Sequence, residues 1–386
     1  MTLLSHQIPE EFASIRPYAP DELPAVMDAL FQDEAFVHIL HKVMPEYPTD
    51  MLHHTLASCH SKVEVQRAAI FPFVMKVAKE CTDGLTLCLP QDFDKQTPHT
   101  FITNHRDIVL DSAFLSALML QNDFPTTVDI AIGDNLLIYP WIEKVVRLSS
   151  FIVQRSLSMR EMLRASQTMS RYMHFAISQK EENIWIAQRE GRAKDSDDRT
   201  QDSILKMMAM GGEGTIIQRL KALNIVPTAL SYEYDPCDYL KAQEFQQKRD
   251  NPDFRKSKAD DLANMAGGIM GYKGRVHFQA SACINPWLDT LDASMPKTEL
   301  FPLIAQHIDG QIHRGYRLYP INYVAADMLQ QSSSRQAHYT ADESAHVRQY
   351  LEQRIGMVQL EHPDHDFLLE RLLTMYANPT FNQERA

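Results

Sequence analysis

Residues 101–121 read FITNHRDIVLDSAFLSALMLQ, a histidine and two carboxylates at the mouth of an otherwise apolar run. An imidazole titrates near ~6.5, which suits it to take a proton from a hydroxyl at neutral pH. A carboxylate that accepts the other ring N–H fixes the tautomer and stabilises the imidazolium that forms. His105 is therefore a candidate general base, and Asp107 and Asp111 compete to be its partner. Asp107 stands just before Ile108-Val109-Leu110, where it fits a helix N-cap that accepts otherwise unpaired amides. Asp111 fits a cap poorly. It lies inside the apolar run, where an unpaired carboxylate costs several kcal/mol, and His105 is the economical group to hold it there. The spacing favours Asp111, with Asp107 as the alternative.

Other chemistries fit less well. His105-Arg106-Asp107 imitates the start of a kinase catalytic loop, but the metal-binding asparagine position is Ser112 and no Gly-rich phosphate loop precedes it. No G-x-S-x-G nucleophile elbow occurs, and the 16 histidines include no H-E-x-x-H, so no metal site is expected.

The elements that must position His105 are legible from periodicity. Leu85, Leu87 and Leu89 alternate with polar or small residues as in a strand, and HTFIT (99–103) reads as a short buried strand running into the histidine loop. DIVLDSAFLSALMLQ follows as a buried helix. Strands are expected again at TTVDIAIGDN, SFIVQR, NIWIAQREGR, NIVPTALSYEY and GRVHFQASACI, with a helix over residues 156–179. This alternation predicts an α/β layered domain. Residues 1–84 read as helical, with Pro72 starting or kinking one helix. After the polar break QQSSSRQ, residues 331–386 read as a helical tail. The expected organisation is a helical region over 1–84, an α/β domain over 85–330 and C-terminal helices over 331–386.

Composition bounds the partners. The 386 residues are 44% hydrophobic and 23% charged, as in a globular chain, and the formal net charge of −12 argues against nucleic acid. Five cysteines without a C-x-x-C read as reduced thiols in a cytoplasmic protein. No secretory signal and no run of roughly 18 apolar residues is visible, so any membrane role is expected to be peripheral.

The region resembles the glycerolipid acyltransferase family, which includes glycerol-3-phosphate and lysophosphatidic acid acyltransferases. TNHRDIVLDSAFL is similar to its His-x-x-x-x-Asp motif, with one extra residue between His105 and Asp111. SSFIVQR resembles the second block, an apolar strand ending in an arginine (Arg155). IWIAQREGRAK resembles the third, a Pro-Glu-Gly-x-Arg-type loop, with Glu190, Gly191 and Arg192 matching and Arg189 at the proline position. IVPTALSYE resembles the fourth, through Pro227. Four ordered blocks span roughly residues 100–232.

The resemblance implies an acyltransferase-type mixed sheet flanked by helices. It also implies O-acyl transfer from acyl-CoA or acyl-carrier protein to glycerol 3-phosphate or lysophosphatidic acid, with no bound cofactor, at the inner face of the cell membrane. His105 with Asp111 or Asp107 would be catalytic, and Arg106, Arg155, Arg189, Glu190, Gly191, Arg192 and Lys194 would bind substrate. Arginine offers a phosphate the forked geometry that lysine lacks. Two alternatives remain: a lipid-binding protein that has lost turnover, and a hydrolase in which the same His–Asp pair activates water. A basic stripe, Arg160, Arg164 and Arg171, could meet anionic headgroups or an acidic carrier protein.

Overall fold

Phe101 and Ile102 are chain neighbours on one strand and both are buried, which demands cover on each face of the sheet. The protein, described by a computed structural model over residues 3–155 and 158–386 apart from the side chains of Met159, Lys258, Ala259 and Asp261, supplies that cover with helices on both sides. Residues 156 and 157 of the expected helical run lie outside this description.

Among the described residues the strands are β1 (Gly84–Cys88), β2 (Thr100–Thr103), β3 (Val128–Gly133), β4 (Ser150–Val153), β5 (Asn183–Ala187), β6 (Ile225–Tyr232) and β7 (Arg275–Ala280). They lie in the order β1-β7-β6-β2-β5-β3-β4. Strands β6, β2, β5, β3 and β4 run parallel, whereas β7 is antiparallel to β6 and carries β1 parallel to itself. The sheet is therefore mixed, as the α/β reading expects.

Strand alternation sorts two cores. Ile102, Ile184, Ile186 and Ile225 face the helices Met159–Ser178, Asp202–Met208 and Lys297–Arg314. Phe101, Trp185, Val226 and Leu230 face the helices Phe71–Cys81 and Leu110–Gln121. Pro72 sits in the first turn of the first of these, immediately after a π-type turn over Gln66–Ile70. The helices Pro320–Gln330, Ala341–Ile355 and His365–Arg385 bury a further core around Val324, Leu351, Leu372 and Tyr376. The helices Asp238–Asp250, Lys258–Met270 and Lys297–Arg314 stand beyond those expected above. Asp238–Asp250 buries Lys241, Glu244 and Gln246 beside Ala242, so its inward face gives no apolar rhythm to read.

One ionic knot ties the amino ends of the parallel strands. Asp129, the second residue of β3, is fully buried and accepts from Lys62 Nζ at 3.0 Å, Lys180 Nζ at 2.7 Å and the Tyr172 hydroxyl at 2.6 Å. Burial opposes its ionisation, but the two ammonium groups overcome that and hold the carboxyl well below the usual carboxylate range. A depressed folded-state pKa contributes stability that is complete above the unfolded value near ~3.9 and is lost as pH falls below it. Asp129→Asn removes the carboxylate that both ammonium groups share, leaving Lys62 with Glu182 alone, and should cost up to about 3–5 kcal/mol. Urea unfolding of this variant is expected to show a lowered midpoint at pH 7, with the difference from the parent shrinking as pH drops below about 4.

Candidate active site

β2 is only four residues long, yet it sits at the centre of the sheet between β5 and β6. Where its backbone ladder ends, Asn104 extends it by side chain: Nδ2 donates to Leu230 O at 2.9 Å, and Oδ1 accepts from Leu230 N at 2.8 Å. The main chain is thereby free to leave the sheet at the carboxyl edge of the parallel strands, where ligands of open α/β sheets commonly bind. The next residue is His105.

His105 Nδ1–H donates to Asp111 Oδ2 at 2.8 Å. Asp111 lies in the first turn of the helix Leu110–Gln121 and is fully buried. Its carboxylate also accepts the Arg106 amide at 2.7 Å and the Asp107 amide at 3.1 Å. Because Asp111 can only accept there, the proton sits on Nδ1 and Nε2 is left as the basic nitrogen. The imidazole meets the Trp185 ring in a T-shaped contact with centroids 5.6 Å apart. Its side chain retains 13% of its exposure.

Asp107 is placed differently. Its Oδ1 accepts from the amides of Val109 at 2.9 Å and Leu110 at 2.7 Å, so it caps the helix rather than touching the imidazole. Burial and the neighbouring Asp111 push its carboxyl up, against those backbone donors and the charge of Arg192. Its other oxygen faces Gly268 on the helix Lys258–Met270, where an added Cβ would stand 2.0 Å away.

The expected cations divide into two groups. Arg106 is buried, and its fork is occupied by Asp198, with Nη1 at 2.9 Å and Nη2 at 2.5 Å. Asp198 also accepts from the Tyr316 hydroxyl, so Arg106 ties the histidine loop to the chain beyond β5. Lys194 pairs with Glu244, which three lysines hold down to about 2 although its burial works the other way. Both side chains are engaged by carboxylates of the surrounding chain.

Arg155, two residues beyond β4, is partly exposed and bridges to Glu190 at 3.0 Å. Arg189 has its Nε buried without a partner. Arg192 Nη2 contacts Asn264 Oδ1 at 3.3 Å. Gly191 sits at φ +67° in the left-handed region, which explains the glycine between two polar neighbours. Arg155, Arg189, Glu190 and Arg192 thus lie on the loops after β4 and β5, at the same edge as His105.

Sequence reasoning missed Asn104 as an anchor, Asp198 as the partner of Arg106, and Asn264 and Gly268 as cover. Only the asparagine adjoining His105 and the Gly267-Gly268 pair offered a signal. Cavities of about 460 Å³, beside Lys62 and Tyr172, and 340 Å³, beside Asp327 and Arg348, lie away from His105. Among the described residues, no three His, Cys, Asp or Glu side chains converge as a metal site.

No family model and no curated protein matches the chain. Among solved structures it is similar to the 1-acyl-sn-glycerophosphate (LPA) acyltransferase PlsC from Thermotoga maritima, at 11% identity and a TM-score of 0.40. That likeness covers 76% of this chain and 94% of that one. At that level it carries neither family nor chemistry.

Asn104→Ala would strip the Leu230 N–H and C=O of their partners inside the sheet. A loss of about 1–3 kcal/mol in chemical denaturation is expected, because each buried backbone group then lacks a hydrogen bond.

Proposed function

We propose that the chain transfers an acyl group from a thioester, acyl-CoA or acyl-carrier protein, to a hydroxyl of glycerol 3-phosphate or lysophosphatidic acid. The observation that supports this best is the imidazole pinned through Nδ1 to a buried carboxylate, with Nε2 at a sheet edge that also carries arginines. In this reading Nε2 takes the proton of the acceptor hydroxyl as its oxygen attacks the thioester carbonyl. The tetrahedral intermediate collapses with cleavage of the C–S bond, and the imidazolium returns the proton to the leaving thiolate. No covalent enzyme intermediate and no bound cofactor is required. Asp111 stabilises the transient imidazolium. Arg155, Arg189 and Arg192 receive the phosphate, with Glu190 positioned to accept from a hydroxyl.

Among the described residues, no helix is long and apolar enough to cross a membrane. The proposed place of work is the inner surface of the cell membrane, reached peripherally.

The deciding assay incubates the purified chain with labelled acyl thioester and each acceptor. Acylated acceptor supports transfer; free fatty acid alone identifies a hydrolase; neither product identifies a chain without turnover. Within an active preparation, His105→Ala should abolish transfer. Asp111→Asn should lower turnover on the order of 10²–10⁴-fold, since an amide cannot stabilise the imidazolium and can select the wrong tautomer. Asp107→Asn should do far less, because asparagine caps a helix about as well as aspartate. The reverse order for the two aspartates would sink the pairing.

Arg155→Gln should raise KM for a phosphorylated acceptor by about 10–100-fold, as expected for losing a charge-assisted hydrogen bond, with kcat little changed. An unphosphorylated acceptor should show no such shift in steady-state kinetics.

A further inference from the structure

The helix Met159–Ser178 is seated on the core only over its second half. Its buried side begins only at Met169 and Ser170, and every residue from 160 to 164 is exposed. At about 1.5 Å rise per residue, this exposed stretch runs roughly 7 Å along the helix axis. That free end carries Met162, 45% exposed, and Leu163, 53% exposed. Arg160, Leu163, Arg164 and Gln167 follow the i, i+3, i+4, i+7 spacing of one helix face. Among the described residues neither Arg160 nor Arg164 has a carboxylate partner, whereas Arg171, two turns further along, is bound by Glu11 at 2.7 Å.

The position matters as much as the composition. The helix follows β4, so its free end rises from the carboxyl edge of the parallel strands, the edge that bears His105. On the other flank of the histidine loop, the helix Lys258–Met270 leans on Asp107 through Gly268 and exposes Leu262 and, at 59%, Met270. Two separate helices therefore put bare apolar side chains beside one mouth, and one of them mixes these with unpaired arginines in a chain of net charge −12. Scattered exposed apolar residues are ordinary; an exposed helix end that combines them with two arginines against one carboxylate, Glu161, itself engaged by Ser158, suits the headgroup layer of an anionic bilayer. An acidic carrier protein would match the arginines but leave the apolar tip and the second flank unexplained.

We propose that the free end of the Met159–Ser178 helix is the docking element for an anionic lipid bilayer, with Met162 and Leu163 entering the headgroup region and Arg160 and Arg164 meeting lipid phosphates. This deepens, and rests on, the lipid reading above, because it would set the His105 edge against the surface from which a lipid substrate is drawn.

The test is co-sedimentation of the full chain with phosphatidylcholine vesicles and with vesicles of phosphatidylcholine and phosphatidylglycerol. The expected result is binding to the anionic vesicles that weakens with salt. Met162→Ser with Leu163→Ser should reduce the partition coefficient by about tenfold or more, from lost apolar insertion. Arg160→Gln with Arg164→Gln should reduce it by about thirtyfold on anionic vesicles and little on neutral ones. Both double variants should melt like the parent and turn over a short-chain, water-soluble thioester at the parent rate. Absence of vesicle binding by the parent, or parent-like binding by both variants, overturns the proposal. So does binding of an acidic acyl-carrier protein that depends on Arg160 and Arg164 while vesicles are ignored. Vesicle binding is read without any acyl transfer, so failure of the transfer assay leaves this result standing by itself.

Discussion

A carboxylate sealed from water must be ringed by donors, and Asp111 shapes its whole neighbourhood to meet that demand. The amides of Arg106 and Asp107 turn inward to reach it, which coils the chain tightly between β2 and the following helix. The imidazole of His105 supplies the remaining donor. Asn104 has to hold the strand end in place while this loop folds back, and Asp107 has to close the helix it opens into. Arg106, whose amide serves Asp111, sends its side chain to Asp198 and so fastens the loop to the chain leaving β5. Four consecutive residues thus each do a separate structural task around one buried charge.

That arrangement explains why part of the site was legible in sequence and part was not. An aspartate in an apolar helical run has few possible partners, and a histidine six residues earlier can reach back to it, so the contact between them follows from local spacing. The cap formed by Asp107 is equally local. The cations are a different matter. Arg106 and Arg155 look alike as letters, yet one is matched by a carboxylate 92 positions away and the other reaches a half-exposed loop. Nothing near Arg106 in the chain announces Asp198. Lys194 is likewise settled by Glu244, on a helix whose inward polar face gives no periodic signal.

The strands were readable because alternation or unbroken apolar runs mark them directly, and their parallel majority follows from intervening helices. The place of β7 was not, since a strand that returns antiparallel against β6 has no distinctive composition. The two edges of the sheet also divide their labour. The amino edge gathers buried ion pairs around Asp129, and the carboxyl edge joins the buried Arg106–Asp198 pair to the partly exposed Arg155–Glu190 pair.

The return of β7 has a consequence for synthesis. β1 precedes β2 by a short connection, yet in the finished sheet β7 and β6 lie between them. Thr86 contacts His277, 191 residues further along. A ribosome therefore releases β1 long before its partner exists, and the nascent chain must carry an unmatched strand until most of the protein has been made. Such distant pairing is slow to form and leaves an open edge to which other chains can add. β1, whose residues alternate between exposed and half-buried even in the finished sheet, is the segment left open to such addition until β7 has been made.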